Sequence, residues 1–374
     1  MNNFQPGKFV NQGTYKSFQP ELINRSWQLK NMELLNLLSQ ADRQMGRLDM
    51  YSEYIPNLDL FISMHVVKEA NQSSKIEGTQ TNIEEVLLEK EDVSKEKRDD
   101  WEEVQNYISA LNHAIESLES LPFSSRLIKN AHRTLLQGVR GKRKLPGEFR
   151  TSQNWIGGAS INDAVFIPPV HMTVNEYMGD LEKFAHRNEF FPELLKIALI
   201  HYQFETIHPF LDGNGRVGRL MITLYLVEKG ILKKPILYLS DFFEMNRSLY
   251  YDNLMRVREK GDLLQWFKFF LVGVIETAKK GITTFDKILK LEKDVEDRLQ
   301  GLGSRSKNAK IIMNELFNRP IINVRKAKQI TGLSLPSVYR LIDDLEKLKI
   351  VNEMTGAKRG KNFLFKDYVN LFVY

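Results

Sequence analysis

From Trp27 to Leu299 apolar side chains return every three or four residues with little interruption, the period an α-helix needs to bury one face. The clearest stretches are Met32–Leu38, Leu60–Val67, Trp101–Leu118, Leu194–Phe204, Leu220–Val227 and Leu263–Ile275. A chain patterned this way folds as a mainly α protein. Only Trp155–Ile167 and Ile350–Phe365 resemble strands. In the first, Gly157-Gly158 lies between two short apolar stretches and Pro168-Pro169 closes the second, which predicts a hairpin that cannot extend into a sheet. The second predicts two short strands around Thr355-Gly356 with a basic tip.

The charged amphipathic helix expected over Val274–Gln300 runs into Gly301-Leu302-Gly303-Ser304, the clearest domain boundary in the chain. At 374 residues, two or three packed units are expected. The pattern divides them into an N-terminal helical region (1–95), a helical core (96–273), a connecting helix and linker (274–303) and a small α+β module (304–374). That module reads as a winged helix-turn-helix. Ala309–Phe317 and Val324–Ile330 are its first two helices, Thr331–Ser334 the turn and Pro336–Leu348 the recognition helix, with Lys358, Arg359 and Lys361 on the wing. Ser337, Tyr339 and Arg340 are placed to face a groove, whereas Asp343 and Asp344 would repel phosphates. Lys328 stands where a small residue usually packs beneath the turn, with Ala327 beside it.

Charge follows the same division. Residues 304–374 hold 14 Lys/Arg against 6 Asp/Glu, or +8, so the remainder carries −2 of the total +6. A basic unit on a near-neutral body points to an acidic partner for that unit alone, either DNA or protein. The chain has no cysteine, which excludes disulfides and thiolate metal sites. It shows neither a signal-peptide pattern nor an apolar run of about 18 residues, so the expectation is a cytoplasmic protein with no membrane partner.

The stretch richest in chemistry is His208-Pro209-Phe210-Leu211-Asp212-Gly213-Asn214-Gly215-Arg216-Val217-Gly218-Arg219. It joins two apolar helices through a short loop whose glycines let backbone N–H groups approach a ligand, while the outgoing helix offers its positive end. Phosphate is the anion such a site suits. Arg216 and Arg219 stand three apart in the first turn of that helix, where they oppose the macrodipole, so local stability does not explain them and a bound polyphosphate would. Asp212 is a hard oxygen ligand suited to Mg²⁺ beside phosphate. His208 has a side chain whose unperturbed pKa is near neutrality, as a general base for a hydroxyl requires.

This loop resembles the signature of the Fic family, HPFx[D/E]GNGRxxR, at every specified position. The resemblance implies a Fic helical core with a β-hairpin flap, and transfer of AMP from Mg-ATP to a Ser, Thr or Tyr hydroxyl of a protein target, itself included. By the same resemblance His208 is the base and Asp212 holds Mg²⁺. Gly213, Asn214 and Gly215 form the anion hole for the α- and β-phosphates, Arg216 meets the β-phosphate and Arg219 the γ-phosphate, and Phe210 packs inward to fix the loop.

A second match lies upstream. Ser73-Ser74-Lys75-Ile76-Glu77-Gly78 resembles the family's inhibitory motif [S/T]xxxE[G/N]. Ser73 and Glu77 are four apart on one helix face, and Gly78 is a fitting helix stop. The resemblance implies that Glu77 pairs with Arg219 and keeps the γ-phosphate from its productive position, so that the chain inhibits itself. Trp155–Ile167, preceded by Leu145-Pro146-Gly147-Glu148-Phe149-Arg150, falls where the family carries a flap that holds the target by strand addition. Asn246-Arg247-Ser248-Leu249-Tyr250-Tyr251 matches the region that contacts adenosine. There Asn246 would bond the nucleoside and Tyr250 or Tyr251 would stack on it, or the rings would pack in the core instead. Gln203 is a further nucleotide contact. Three readings stay open: an adenylyltransferase; a DNA-binding regulator whose Fic core is a sensor or relic; and an enzyme that removes AMP or transfers another phosphate-containing group. Pairing into a homodimer is left open as well.

Overall fold

The computed structural model describes residues 4–54, 58–138, 144–188, 191–354 and 360–373. A hairpin of β1 (Gly7–Asn11) and β2 (Lys16–Pro20) is followed by α1 (Met32–Tyr54), α2 (Leu58–Ile76), α3 (Ile83–Leu87), α4 (Arg98–Ser117), α5 (Ser125–Leu135) and α6 (Val174–Ala185). The centre is formed by α7 (Glu193–Ile207) and α8 (Asn214–Glu228), then α9 (Ser240–Met245), α10 (Arg247–Lys260) and α11 (Leu263–Gln300). The C-terminal module holds α12 (Ser306–Asn318), β3 (Ile321–Asn323), α13 (Val324–Thr331), α14 (Leu335–Lys347), β4 (Asn352–Glu353), β5 (Asn362–Leu364) and α15 (Lys366–Val373). The chain is mainly α with small sheets, as the periodicity predicts. Among the described residues no helix is long and apolar enough to cross a membrane.

The core is built around α7 and α8. Every residue of α7 from Leu194 to Ile207 is buried, polar ones included. A helix enclosed on all sides needs apolar residues all round, so it shows little amphipathic bias. Around this pair stand α2, α4, α5, α6 and α11, and Trp266 of α11 donates its indole N–H to the carbonyl of Ala198 at 2.8 Å. Outside them α1 runs parallel to α11, tied by Lys268 to Glu33 and by the Tyr51 hydroxyl to Asp286 at 2.8 Å, both at a sequence offset of 235. The helix α11 passes unbroken through the expected boundary at 273/274, so core and connecting helix are one element. Its C-terminal end meets the glycine-rich break at Gly301–Ser304.

The strand expectations need correction. The segment Trp155–Ile167 does reverse as a hairpin that does not extend into a sheet, but it is reduced to a single antiparallel bridge, Ile156 to Phe166. Gly157 and Gly158 both take positive φ (71° and 72°), and a Cβ on Gly158 would lie 2.4 Å from the Asp163 carbonyl oxygen. Asp163 in turn accepts from the N–H groups of Ala159 and Ser160, so the segment closes as a compact loop before a ladder can form. The N-terminal hairpin and β3 were not legible as strands. The N–H of Phe18 in β2 donates to the Ile167 carbonyl at 2.8 Å and its ring lies 5.7 Å from that of Phe166, so the hairpin packs against this loop.

Beyond the glycine break, α12, α13 and α14 with the antiparallel sheet β3–β5–β4 follow the element order of a winged helix-turn-helix. Ala327 is fully buried while Lys328 points outward, so the small residue beneath the turn is Ala327. Tyr339 and Arg340 are exposed on α14, and Asp343 and Asp344 are paired with Lys347 and Arg305. Thr355, Gly356, Lys358 and Arg359 of the expected wing tip lie outside the described residues; Lys361 is exposed. The module packs on α2: Phe61 meets the rings of Phe317 and Tyr368 at 5.6 and 6.4 Å, and the Ser63 hydroxyl donates to the Asn318 carbonyl at 2.5 Å.

Candidate active site

The loop between α7 and α8 is held from several sides. His208 ends α7 in the left-handed region (φ 50°, ψ 62°), which turns the chain sharply. Such a backbone is costly for a non-glycine residue and persists only where its surroundings over-determine it. Here the His208 carbonyl accepts from Arg150 Nε (3.0 Å) and Asn154 Nδ2 (3.1 Å), and Arg150 also reaches the Pro169 and Ile207 carbonyls. The Phe210 ring is buried, stacked 3.7 Å from the imidazole of His132 with the planes 10° apart. His132 Nδ1 accepts the Gly147 N–H at 2.8 Å, so Nε2 carries the proton and donates to the Asp212 carbonyl at 3.0 Å. Asn214 closes the loop on itself: its side chain both donates to the Phe210 carbonyl and accepts from the Phe210 N–H, each at 2.8 Å.

At the start of α8 the first N–H groups have no intrahelical acceptor. One of them, on the capping Gly213 (φ 74°), donates to Asp212 Oδ1 at 2.6 Å. Above Gly215 sits the Glu77 carboxylate: a Cβ at 215 would meet Glu77 Oε1 at 2.3 Å and Arg219 Nη1 at 3.0 Å. Only glycine lets a negatively charged group come this close to the helix N-terminus. Arg219 is 2% exposed and donates from Nη2 to Glu77 Oε1 at 2.7 Å, and from Nε and Nη2 to the hydroxyl and carbonyl of Ser73, both at 2.9 Å. Desolvation alone would raise the Glu77 carboxyl, but the Arg219 guanidinium outweighs it and holds the group below the usual range. Arg216 pairs with Glu103 at 3.1 Å and stands 3.6 Å from Asp212. Gly78, with φ 103°, lets the chain leave α2 just past Glu77.

His208 is a neutral imidazole. Desolvation of the mostly enclosed ring, helped by the Arg258 charge and opposed by Glu77, pushes it down to about 3. Asp212 is more exposed than His208. No three described His, Asp or Glu side chains cluster as a protein-only metal site would require. One carboxylate beside a phosphate cradle fits Mg²⁺, which takes most of its ligands from phosphate and water.

Three residues expected to contact nucleotide are bonded within the protein itself. Gln203 is buried and donates to the Glu21 carbonyl at 2.9 Å, tying the N-terminal segment to α7. The Asn246 amide donates to the Phe242 carbonyl at 2.9 Å, within the turn between α9 and α10. Tyr250 is 1% exposed, stacked 4.5 Å from Phe243 and bonded through its hydroxyl to His201 Nε2 at 2.9 Å, which leaves no face for a purine. Its neighbour Tyr251 is 38% exposed and lies within reach of the Glu77 and Arg219 charges. Four contributors were not read from the sequence as site residues: His132, Asn154, Glu103 and Glu205. The signal for the last was an acidic residue within a largely apolar helical run.

The enclosed imidazoles give a pH dependence. His65 and His201 are pushed down to about 3 and His132 to about 4, chiefly by desolvation, as His208 is. Unfolded, each binds a proton near pH 6.5. Stability is therefore lost as pH falls from about 6.5 toward 4, at up to about 1.4 kcal/mol per pH unit per group. Glu69 and Glu205 are raised by burial and act in the opposite sense, leaving a net loss. Calorimetry should show Tm falling by several degrees between pH 6.5 and 4.5; a flat Tm would mean that these rings are open to water.

Residues 35–116 match the model described as Fic/DOC family N-terminal, and residues 122–226 the one described as Fic/DOC family. Protein adenylyltransferase Fic of Aedes aegypti is 31% identical over 125 residues, 33% of this chain and 22% of that protein. The Aquifex aeolicus protein named "Probable protein adenylyltransferase aq_aa38" is 25% identical over 216 residues, 56% of this chain and 59% of its own. The chain thus spans between about a fifth and three fifths of these relatives. A Fic family protein from Desulfovibrio desulfuricans shares the fold with a TM-score of 0.58 at 19% identity, over 91% of this chain and 98% of that one. A Fic domain containing signaling protein from Bacteroides thetaiotaomicron aligns with a TM-score of 0.53 at 19% identity, over 66% and 95%.

Proposed function

The chain belongs to the Fic/DOC family, and from that premise we propose that it is a protein adenylyltransferase that moves AMP from ATP to a Ser, Thr or Tyr hydroxyl and is restrained by its own Glu77. One observation carries the reading. A carboxylate is seated over Gly215 at the N-terminus of α8 and paired with a buried Arg219, so the cradle already accepts anionic oxygen, and a neutral imidazole stands at the same loop. A nucleotide phosphate has the charge and oxygen geometry to replace that carboxylate.

In the reaction His208 accepts the proton of the target hydroxyl. The freed oxygen forms a bond to the α-phosphorus, and the bond from that phosphorus to the bridging oxygen of pyrophosphate breaks. Arg216, Arg219 and the N–H groups of the α8 terminus hold the phosphate charge, in the manner of phosphoryl transfer generally, where positioning and neutralisation do most of the work. Asp212 would hold Mg²⁺, whose charge offsets that of the leaving pyrophosphate. The bond from His132 to the Asp212 carbonyl keeps that segment of the loop in place.

The test is incubation of the full chain carrying Glu77→Gly, with and without a cell extract, in separate reactions containing ATP, CTP, GTP or UTP labelled at the α-phosphate. Label from ATP should appear in protein, on this chain or a target, and be released as AMP by phosphodiesterase. Label from another nucleotide alone, or none from any, would overturn the reading.

A further inference from the structure

We infer that Glu205 is a positioning residue for His208: its carboxylate accepts a hydrogen bond from Nδ1–H of the imidazole and so turns Nε2 toward the hydroxyl to be deprotonated. This rests on the proposed adenylyl transfer for its purpose but not for its geometry. Glu205 lies on α7 one turn before His208 and is 6% exposed. Its Oε2 stands 4.0 Å from His208 Nδ1. Glu205 Oε1 and His208 Nδ1 are both enclosed and have no hydrogen-bond partner among the described residues.

A buried carboxylate costs several kcal/mol unless it is paired or bonded, so a merely structural one is saturated. Glu69 shows this in the same protein, accepting from the Tyr107 hydroxyl at 2.9 Å, the Ser240 hydroxyl at 2.5 Å and the Ser240 N–H at 3.2 Å. Glu205 has no such set. The nearby cations are committed elsewhere: Arg258 donates to the Thr206 hydroxyl and to the main-chain carbonyl of Glu205, and Arg219 to Ser73 and Glu77. Room for the carboxylate is made by Gly218 on the adjoining helix, where a Cβ would lie 2.2 Å from Glu205 Oε1. The same Cβ would also lie 3.2 Å from Phe204 Cδ1. The charged and titratable groups that face the carboxylate are Arg219, Arg258, Glu77, His208 and Tyr250.

Burial pushes Glu205 up to about 7, and burial with the Arg258 charge pushes His208 down to about 3, so the pair is enclosed together beside α8. Catalytic hydrogen bonds are often long before substrate binds, and about 1 Å of approach makes this one. Once the hydroxyl proton has passed to Nε2, the imidazolium is stabilised by the carboxylate beside Nδ1–H. Glu205 itself takes no proton, and the imidazolium later gives its Nε2 proton to solvent.

Full-length Glu77→Gly protein labelled with ¹⁵N-histidine provides the test, alone and combined with Glu205→Leu, Glu205→Gln or Gly218→Ala. At pH 7 the parent should show His208 as the Nδ1–H tautomer, and Glu205→Leu and Gly218→Ala should shift it toward a mixture. Glu205→Gln should lower kcat roughly 10- to 100-fold with KM for ATP within about twofold. Folding is monitored by Tm, and if Glu205→Leu does not fold, Gly218→Ala decides the tautomer. An unchanged tautomer overturns the inference whatever happens to kcat, because a fall in kcat alone marks a packing role. The tautomer arm needs no transfer activity, so a parent that fails to label protein counts against the proposed function and leaves this inference to be decided separately.

Discussion

His208→Ala should reduce transfer by about 10²- to 10⁴-fold while ATP affinity stays within a few-fold, because general-base contributions run to that size and the phosphate contacts come from other residues. The separation is structural. The cradle over Gly215 is formed by the α8 terminus, Arg219 and Arg216, all anchored independently of the imidazole: Arg219 by Ser73, Arg216 by Glu103, and the loop by Asn214 and His132. The imidazole makes no hydrogen bond that holds the loop, since its Nδ1 has no partner among the described residues, whereas the His208 carbonyl carries the bonds to Arg150 and Asn154 and is retained in alanine. The left-handed backbone at 208 is tolerated somewhat better by histidine than by alanine, so a modest fall in Tm is expected and folding is checked alongside. The measurement pairs single-turnover labelling with calorimetric ATP binding. Residual transfer within a few-fold of the parent, in folded protein that binds ATP, would remove His208 from the chemistry.

How much of this was legible follows from what kind of information each feature needs. Helices with a buried face announce themselves by period, so α1, α4 and α11 were readable, and so were α7 and α8 as apolar runs. The loop His208–Arg219 was legible because its chemistry is contiguous: glycines, arginines and a carboxylate in twelve residues. Features made by distant partners were not. The strands β1 and β2 are short and partly polar, and their place depends on Ile167 and Phe166, far along the chain. The expected hairpin at Trp155–Ile167 is reduced to one antiparallel bridge because two glycines in the left-handed region turn the chain early. Gln203 was singled out as the polar residue on an apolar helix, yet Glu205 two positions on carries the unsatisfied carboxylate. On a helix buried all round, the informative polar residue is the one without a partner, and sequence does not show partners. Tyr250 illustrates the same limit, because an aromatic ring beside the site and one packed in the core look alike until His201 and Phe243 are placed.

Glu77→Gly should raise labelling of targets, or of the chain itself, at least tenfold. The structure gives this substitution an unusually clean target. The Glu77 carboxylate lies against Gly215, where the terminus of α8 would receive phosphate, and at the same time neutralises Arg219. A nucleotide entering with Glu77 present must share Arg219 with a carboxylate and crowd past Oε1. Displacement of the reacting phosphorus by about 1 Å can cost on the order of 10²-fold in rate. Removing Glu77 clears that position without releasing Arg219, because Ser73 still accepts from Nε and Nη2 and keeps the guanidinium in place with the Nη2 proton that Glu77 held now free for phosphate. The stability cost should be small. The Glu77 side chain is 36% exposed, so its ion pair is partly screened by water, and the residue lies just past the last helical position of α2, where glycine carries little penalty. Activation should therefore come with nearly unchanged Tm and with tighter ATP binding, whereas release by local unfolding would lower Tm and weaken binding. Glu77→Gly combined with His208→Ala should return labelling to background, which ties the gain to the same base. If Glu77→Gly folds, binds ATP and labels no faster than the parent, the carboxylate over Gly215 is a structural pair for Arg219 and not an inhibitor.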